Sequence, residues 1–175
     1  MRNYRIVRIA GVHYPEAVDM FYRHHPEART LPYEETQRRF FQMKAIYSDG
    51  FSRSMKSLGN EAFELIYDFM DLQKKWADER SVRYREQSWQ HDILLAQIAF
   101  YRPDILYFQD IRSLPFSIRR NLKAQFPFVK RLVVHKGFPG GEGEYAGVDL
   151  LLYAIPSLRE SFKKEGVPIR LMYHA

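Results

Sequence analysis

"YRPDILYFQDIRSLPFSIRRNL" occupies residues 101–122. Arg102 precedes a proline, which disfavours the α region and closes any helix arriving from upstream. Asp104–Phe108 (DILYF) follows as a near-continuous apolar run, the pattern of a strand covered on both faces. Ser113 is a predicted N-cap, with Pro115 in the first turn of a new helix. Leu114, Ile118, Leu122 and Phe126 recur every four residues as its inward stripe, with Arg119, Arg120 and Lys123 off it. A helix stop, a strand and a helix start within 22 residues make a β–α unit. It leaves one acid, Asp110, at the point where the strand ends.

The same grammar extends in both directions. Arg5–Ala10 (RIVRIA) reads as the first strand, ending at Gly11. Residues 11–35 contain Pro15, Pro26 and Pro32 and read as a long connection with a short helix near Glu16–Tyr22. Thr36–Leu58 places Phe40, Met43, Tyr47, Phe51, Met55 and Leu58 on one helical stripe, with a kink at Gly50 and a stop at Gly59. Ala62–Asp68 (AFELIYD) is the second strand. Leu72–Gln87 is charged and reads as an exposed excursion. Ser88 caps a helix to about Tyr101, with Trp89, Ile93 and Phe100 facing inward. Arg131–His135 (RLVVH) is the fourth strand and Val148–Tyr153 (VDLLLY) the fifth. Between them, Gly137–Gly147 holds five glycines and one proline, a loop composition. Pro156 opens a helix that turns Leu158 and Phe162 inward, pairs Glu160 with Lys164 and stops at Gly166. Ile169–Tyr173 (IRLMY) is a short sixth strand.

Alternating strands and helices predict an α/β fold. The expected form is a Rossmann-like three-layer α/β/α sandwich with a mostly parallel sheet of about six strands. The 175 residues fit one such domain. Hydrophobic residues make up 46 %, enough to fill a core, and the 27 % of charged residues are well mixed, which excludes a disordered chain. The sequence has no cysteine, hence neither a disulfide framework nor thiolate chemistry, and this fits a reducing cytoplasm. No signal peptide precedes the first strand, and no apolar run approaches the ~20 residues of a membrane span. The net charge of +6 favours anionic partners, an acidic membrane surface among them.

Ligands of such sheets bind outside the carboxyl ends of the strands, near the point where strand order switches. The residues expected there are Gly11 and His13 after the first strand, and Asp110 after the third. His135, Lys136 and Gly137 follow the fourth, Tyr153 the fifth and His174 the sixth. A histidine on that rim could act as a general base, because it titrates near neutrality. His135, Asp110 and His13 are the catalytic candidates; Gly11, Lys136, Gly137, Tyr153 and His174 are expected to line the cleft. Each has a plainer reading as a hydrogen-bonded structural residue, and Asp110 could instead cap the next turn.

Phosphate-binding motifs are missing. The chain has no G-x-x-x-x-G-K-[ST] and no G-x-G-x-x-G after a strand, so nucleotide binding in the dinucleotide manner is not expected. His13, His24 and His25 show no metal-ligand spacing, and no metal site is expected. There is no G-x-S-x-G elbow. Arg5, Arg8, Arg38, Arg39, Arg119, Arg120, Lys123, Lys130 and Arg131 are scattered over many elements rather than gathered in a recognition module, so nucleic acid is not an expected partner.

Four segments carry a resemblance in their order. "YSDGFSRSMKSLGNEAFELIYD" (47–68), "ILLAQIAFYRPDILYFQD" (93–110), "RLVVHKG" (131–137) and "DLLLYAIPSLRESFKKEGVPIRLMYHA" (149–175) resemble successive parts of the N-terminal, acceptor-side domain of GT-B glycosyltransferases of the spore-maturation type. Residues 11–46 match more loosely, and the G-G-E-G-E loop (140–144) is not a shared feature. The resemblance implies one half of a two-domain transferase. The chain ends where the interdomain linker would begin, so the expected partner is a C-terminal domain that binds the nucleotide-sugar, a co-substrate rather than a cofactor. The acceptor would be a glycan or small molecule bearing a hydroxyl, and no bound metal is needed. His13, Asp110, His135 and Lys136 would line the acceptor side, one of them taking a proton from that hydroxyl, with Lys136 facing the diphosphate. The alternatives are a non-enzymatic α/β binding or scaffold module, and a binder of nucleic acid or anionic surfaces.

Overall fold

The computed structural model describes residues 3–44, 48–138, 145–164 and 166–172. Six strands form one sheet: β1 Arg5–Ala10, β2 Glu61–Ile66, β3 Ile105–Phe108, β4 Arg131–Lys136, β5 Leu150–Tyr153 and β6 Ile169–Leu171. Their spatial order is β2-β1-β3-β4-β5-β6, and every pair is parallel. The protein therefore has the Rossmann-like α/β fold. The chain steps from β1 outward to β2, then returns across β1 to β3 and proceeds the other way. The order switches between β1 and β3.

The helices are α1 Pro15–His24, α2 Tyr33–Gln42, α3 Gly50–Ser57, α4 Met70–Glu79, α5 Trp89–Tyr101, α6 Phe116–Arg119, α7 Leu122–Gln125 and α8 Arg159–Lys163. No helix among the described residues is long and apolar enough to cross a membrane. Val7, Ile9, Leu65, Leu106, Phe108, Leu132 and Val134 point from the sheet into one cluster. Leu94 and Ile98 of α5, Leu122 of α7 and Phe162 of α8 close over them. A second, aromatic cluster gathers Phe21, Tyr22, Phe40, Phe69, Trp76 and Ile93 around Ile66. It lies along the outer edge of β2. There Gln37 Nε2 donates to the Glu64 carbonyl at 3.0 Å and Gln73 Nε2 to the Ile66 carbonyl at 2.8 Å. Two glutamines thus occupy acceptors that would otherwise template another strand.

On the other face of β1 and β2 sits a buried ion pair, Arg8 Nε to Glu64 Oε2 at 2.5 Å. Burial pushes the Glu64 carboxyl up, against the pull of Arg8 and the Ser52 amide. Glu64 Oε1 accepts the Ser52 N–H at 2.9 Å in the first turn of α3, where an anion also meets the positive end of the helix. Arg8 Nη2 donates to the Ser48 carbonyl at 2.9 Å. The pair ties α3 to the sheet. The far end of α3 closes in a Schellman motif: Gly59 has φ 82°, its N–H reaches the Lys56 carbonyl and Asn60 N–H the Met55 carbonyl.

The structure corrects several local expectations. The stripe over Thr36–Leu58 belongs to two helices, α2 and α3. Lys44, with φ 52°, breaks the run, and Tyr47 lies outside the described residues. Phe40 is buried in α2 and Phe51 and Met55 are half-buried in α3, but Leu58 ends the stripe 64 % exposed. Leu72–Gln87 is an exposed excursion only in its second half: α4 buries Leu72 and Trp76 on a four-residue spacing that its charges obscured, while Ser81, Arg83 and residues 85–87 are exposed. Phe100 faces outward, 57 % exposed, against the edge of Trp76. Ser113 does not cap the next helix; Asp110 caps its own short turn instead. Arg119 is buried and donates to the carbonyls of Ile111 and Leu114. Glu160 pairs with Lys163 rather than Lys164. The glycine-rich loop over 139–144 lies outside the described residues.

Removing the Glu64 carboxylate deprives a buried guanidinium of its counter-charge. Glu64→Ala should cost about 3–5 kcal/mol, and Arg8→Met/Glu64→Leu together clearly less. Urea unfolding of the three proteins checks this; equal midpoints would show that the pair does not hold α3.

Candidate active site

The switch point brings the loops after β1 and β3 together. Gly11 ends β1 at a place with no room for a side chain. A Cβ there would meet His13 Cε1 at 2.6 Å, Tyr67 Cε1 at 2.7 Å and Asp68 Oδ2 at 2.8 Å. The next turn is drawn tight by Asp68, two residues beyond β2. Its carboxylate accepts the N–H of Val12 at 2.7 Å and of His13 at 3.0 Å. His13 is thereby held at φ 60°, a left-handed conformation that costs a non-glycine residue on the order of 1–3 kcal/mol.

This conformation sets the His13 imidazole between two carboxylates. Nδ1 lies 3.7 Å from Asp68 Oδ2, and Nε2 lies 3.4 Å from Asp110 Oδ2. These are ion-pairing separations rather than hydrogen bonds, and catalytic contacts are often this long before a substrate binds. The ring keeps 29 % of its surface open to solvent.

Asp110 is fixed from three directions. Its Oδ1 accepts the Arg112 N–H at 2.9 Å and Arg112 Nε at 3.0 Å, and its Oδ2 accepts the Tyr67 hydroxyl at 3.0 Å. Burial pushes the carboxyl up, but Arg112 and Tyr67 together outweigh it and hold Asp110 below the usual carboxylate range. The Tyr67 hydroxyl is pushed the other way, by burial and by the Asp110 charge. Asp110 therefore caps the turn and faces the imidazole at once.

Two clefts meet at His13. One, of about 410 Å³, carries Asp19, Asp68 and Asp71 on a wall of Val12, Val18, Phe69 and Met70. The other, of about 320 Å³, is lined by Gln109, Asp110, Arg112, His135, Lys136 and Gly137. The first is acidic and apolar; the second gathers cations. Of the expected site residues, Gly11, His13, Asp110, His135, Lys136 and Gly137 share this stretch of rim. Lys136 is buried against the rings of Phe138 and Tyr145, 4.5 and 5.5 Å from their centroids. His135 is buried in the wall of the second cleft. Tyr153 lies further along, in a separate cleft beside β5 and β6. His174 lies outside the described residues.

Sequence reasoning missed Tyr67, Asp68 and Arg112. Reading β2 through to Asp68 put the first two inside a strand. The strand stops at Ile66, so they stand on the rim, where the rule that selected Asp110 also selects them.

No protein-family model matches the chain, and no curated protein or solved structure matches it. The chemistry open to this rim follows from its own groups. A partly exposed imidazole with a carboxylate on each side can take a proton from a hydroxyl and share the resulting charge. The described residues include no group of three or more acids and histidines able to hold a metal ion.

Gly11→Ala should push the His13 ring from its place and lower stability by about 1–3 kcal/mol. An unmoved His13 ring signal in NMR spectra of the variant would refute the close packing. Asp110 offers a pH test. Its folded-state carboxyl titrates below its unfolded value of about 3.9, so its contribution is complete above that pH and fades as pH falls through the lower folded value. The melting-temperature gap between wild type and Asp110→Asn should therefore be widest near neutrality and close below about pH 4. A gap independent of pH would contradict the role given to Arg112 and Tyr67.

Proposed function

We propose that the chain is the acceptor-side domain of a nucleotide-sugar-dependent glycosyltransferase, with His13 as general base. The observation that carries this reading is the position of His13 on the wall between two clefts of opposite character. A hydroxyl acceptor suits the first cleft, whose carboxylates accept hydrogen bonds from hydroxyls while its apolar wall lies against ring carbons. An anionic donor suits the second, whose lining includes the exposed Arg112 guanidinium, with the buried Lys136 charge behind it. The ordered resemblance of segments 47–68, 93–110, 131–137 and 149–175 to acceptor-side domains supports the same assignment.

The acceptor hydroxyl gives its proton to His13 Nε2 as its oxygen bonds to the anomeric carbon of the sugar. The bond from that carbon to the diphosphate breaks, and the nucleoside diphosphate leaves with the electron pair. Asp68 orients the ring through Nδ1 and Asp110 faces the charge that forms. The donor's nucleotide would be held by a second domain. Transfer needs both substrates held together, so the 175-residue chain alone should bind acceptor without turnover.

The test is transfer of labelled sugar from nucleotide-sugars to a pool of hydroxyl acceptors, using the protein expressed from its complete gene. His13→Ala should lower the rate by ~10²–10⁴-fold with its fold intact. His135→Ala should lower it less. No transfer from any donor, or an unchanged rate in His13→Ala, would favour a non-enzymatic binding module instead.

A further inference from the structure

We infer that a third cleft, on the rim beside β5 and β6, is a binding site for a phosphoryl group. It encloses about 580 Å³, within the ~300–1,000 Å³ usual for small-molecule sites. Tyr153 forms its buried floor, its ring 5.9 Å from that of Phe162. Arg159, Lys163 and Arg170 supply three cations to the lining, and no acid joins them. None of its lining residues is shared with the two clefts at His13. The inference stands whether or not the chain transfers a sugar.

Most other cations among the described residues are already engaged. Arg5 pairs with Glu61, Arg8 with Glu64, Arg38 and Arg39 with Glu35, Lys123 with Asp149 and Lys130 with Asp104. In the third cleft Lys163 pairs with Glu160 at 2.8 Å. Arg159 and Arg170 have no carboxylate within ion-pairing distance among the described residues, although both are exposed. Glu160, the acid beside Arg159, is paired with Lys163, and Arg170 commits only Nη1, to the Ile169 carbonyl at 3.0 Å; the remaining guanidinium N–H groups in one concavity suit phosphate oxygens. Leu171, 40 % exposed, lines the same cleft and could take an apolar part of the same ligand. The group recognised is a phosphoryl, and it could be carried by a soluble phosphate ester or by an anionic lipid headgroup.

The experiment has two arms on the folded 175-residue chain. In the first, ¹⁵N-labelled protein is titrated with pyrophosphate. The amides of Tyr153, Arg170 and Leu171 should shift saturably, while those of Phe40 and Trp76, buried in the aromatic cluster and outside all three clefts, stay in place. In the second, the chain is floated with vesicles of phosphatidylcholine, with and without phosphatidylglycerol. Arg159→Glu/Arg170→Glu should weaken binding at least about tenfold in whichever arm shows it. Lys56→Glu/Arg83→Glu, an equal change of net charge on exposed residues outside the cleft, should leave it intact. Circular dichroism confirms that both variants fold. Binding of pyrophosphate alone identifies a soluble ligand. Flotation that needs phosphatidylglycerol and is competed by pyrophosphate identifies a headgroup. Binding in neither arm, or equal loss in the control variant, overturns the inference.

Discussion

A carboxylate that accepts backbone N–H groups at a strand end is the interaction on which this molecule turns. Asp68 takes the N–H of Val12 and of His13 just past β1. Without it the part-buried Val12 N–H would leave β1 unsatisfied beside the sheet, and a buried donor without a partner costs about 1–3 kcal/mol. The same device appears twice at the opposite rim. Asp104, just before β3, accepts the Arg5 N–H at 3.0 Å, and Asp149, just before β5, accepts the Leu132 N–H at 2.7 Å. Each acid belongs to the strand neighbouring the one it pins. Register between parallel strands is thus fixed by side chains at their ends as well as by the ladder between them. At the C-terminal rim the device also makes the site, because the turn that satisfies Asp68 is the turn that aims His13.

Net charge alone misdirects in this protein. A balance of +6 suggests a surface that attracts polyanions. Yet Arg8 and Arg119 are inside, the first paired with Glu64 and the second spent on two carbonyls. Lys75 is likewise turned inward, onto the carbonyls of Ala28 and Leu31 and the Thr36 hydroxyl. What matters for partners is where cations remain without counter-charges, and that is a property of packing rather than composition.

The sheet was largely legible in the sequence because a two-sided strand has a strong signal. RIVRIA, DILYF and RLVVH are short, apolar and bounded by breakers, and the structure places strands on all three. Helix packing was less legible. Trp76 and Leu72 lie among lysines and acids in α4, whose burial depends on an aromatic cluster assembled from four distant segments. The candidate site was half legible. His13 and Asp110 follow from strand ends. Asp68 was hidden by a boundary shift of two residues, and Arg112 because its role is defined only once Asp110 turns back on it.

Which histidine serves the rim follows from orientation. Successive residues of a strand point to opposite faces, and His135 is still within β4, so its ring direction is dictated by the pleat. Its burial leaves little of it open to a substrate. His13 has left the strand and obeys no pleat. Its direction comes from a left-handed turn that only the Gly11 vacancy and the Asp68 clamp make affordable. A residue held in a strained conformation by three neighbours, with its ring between two carboxylates and open to two clefts, is placed there by more constraints than folding alone requires.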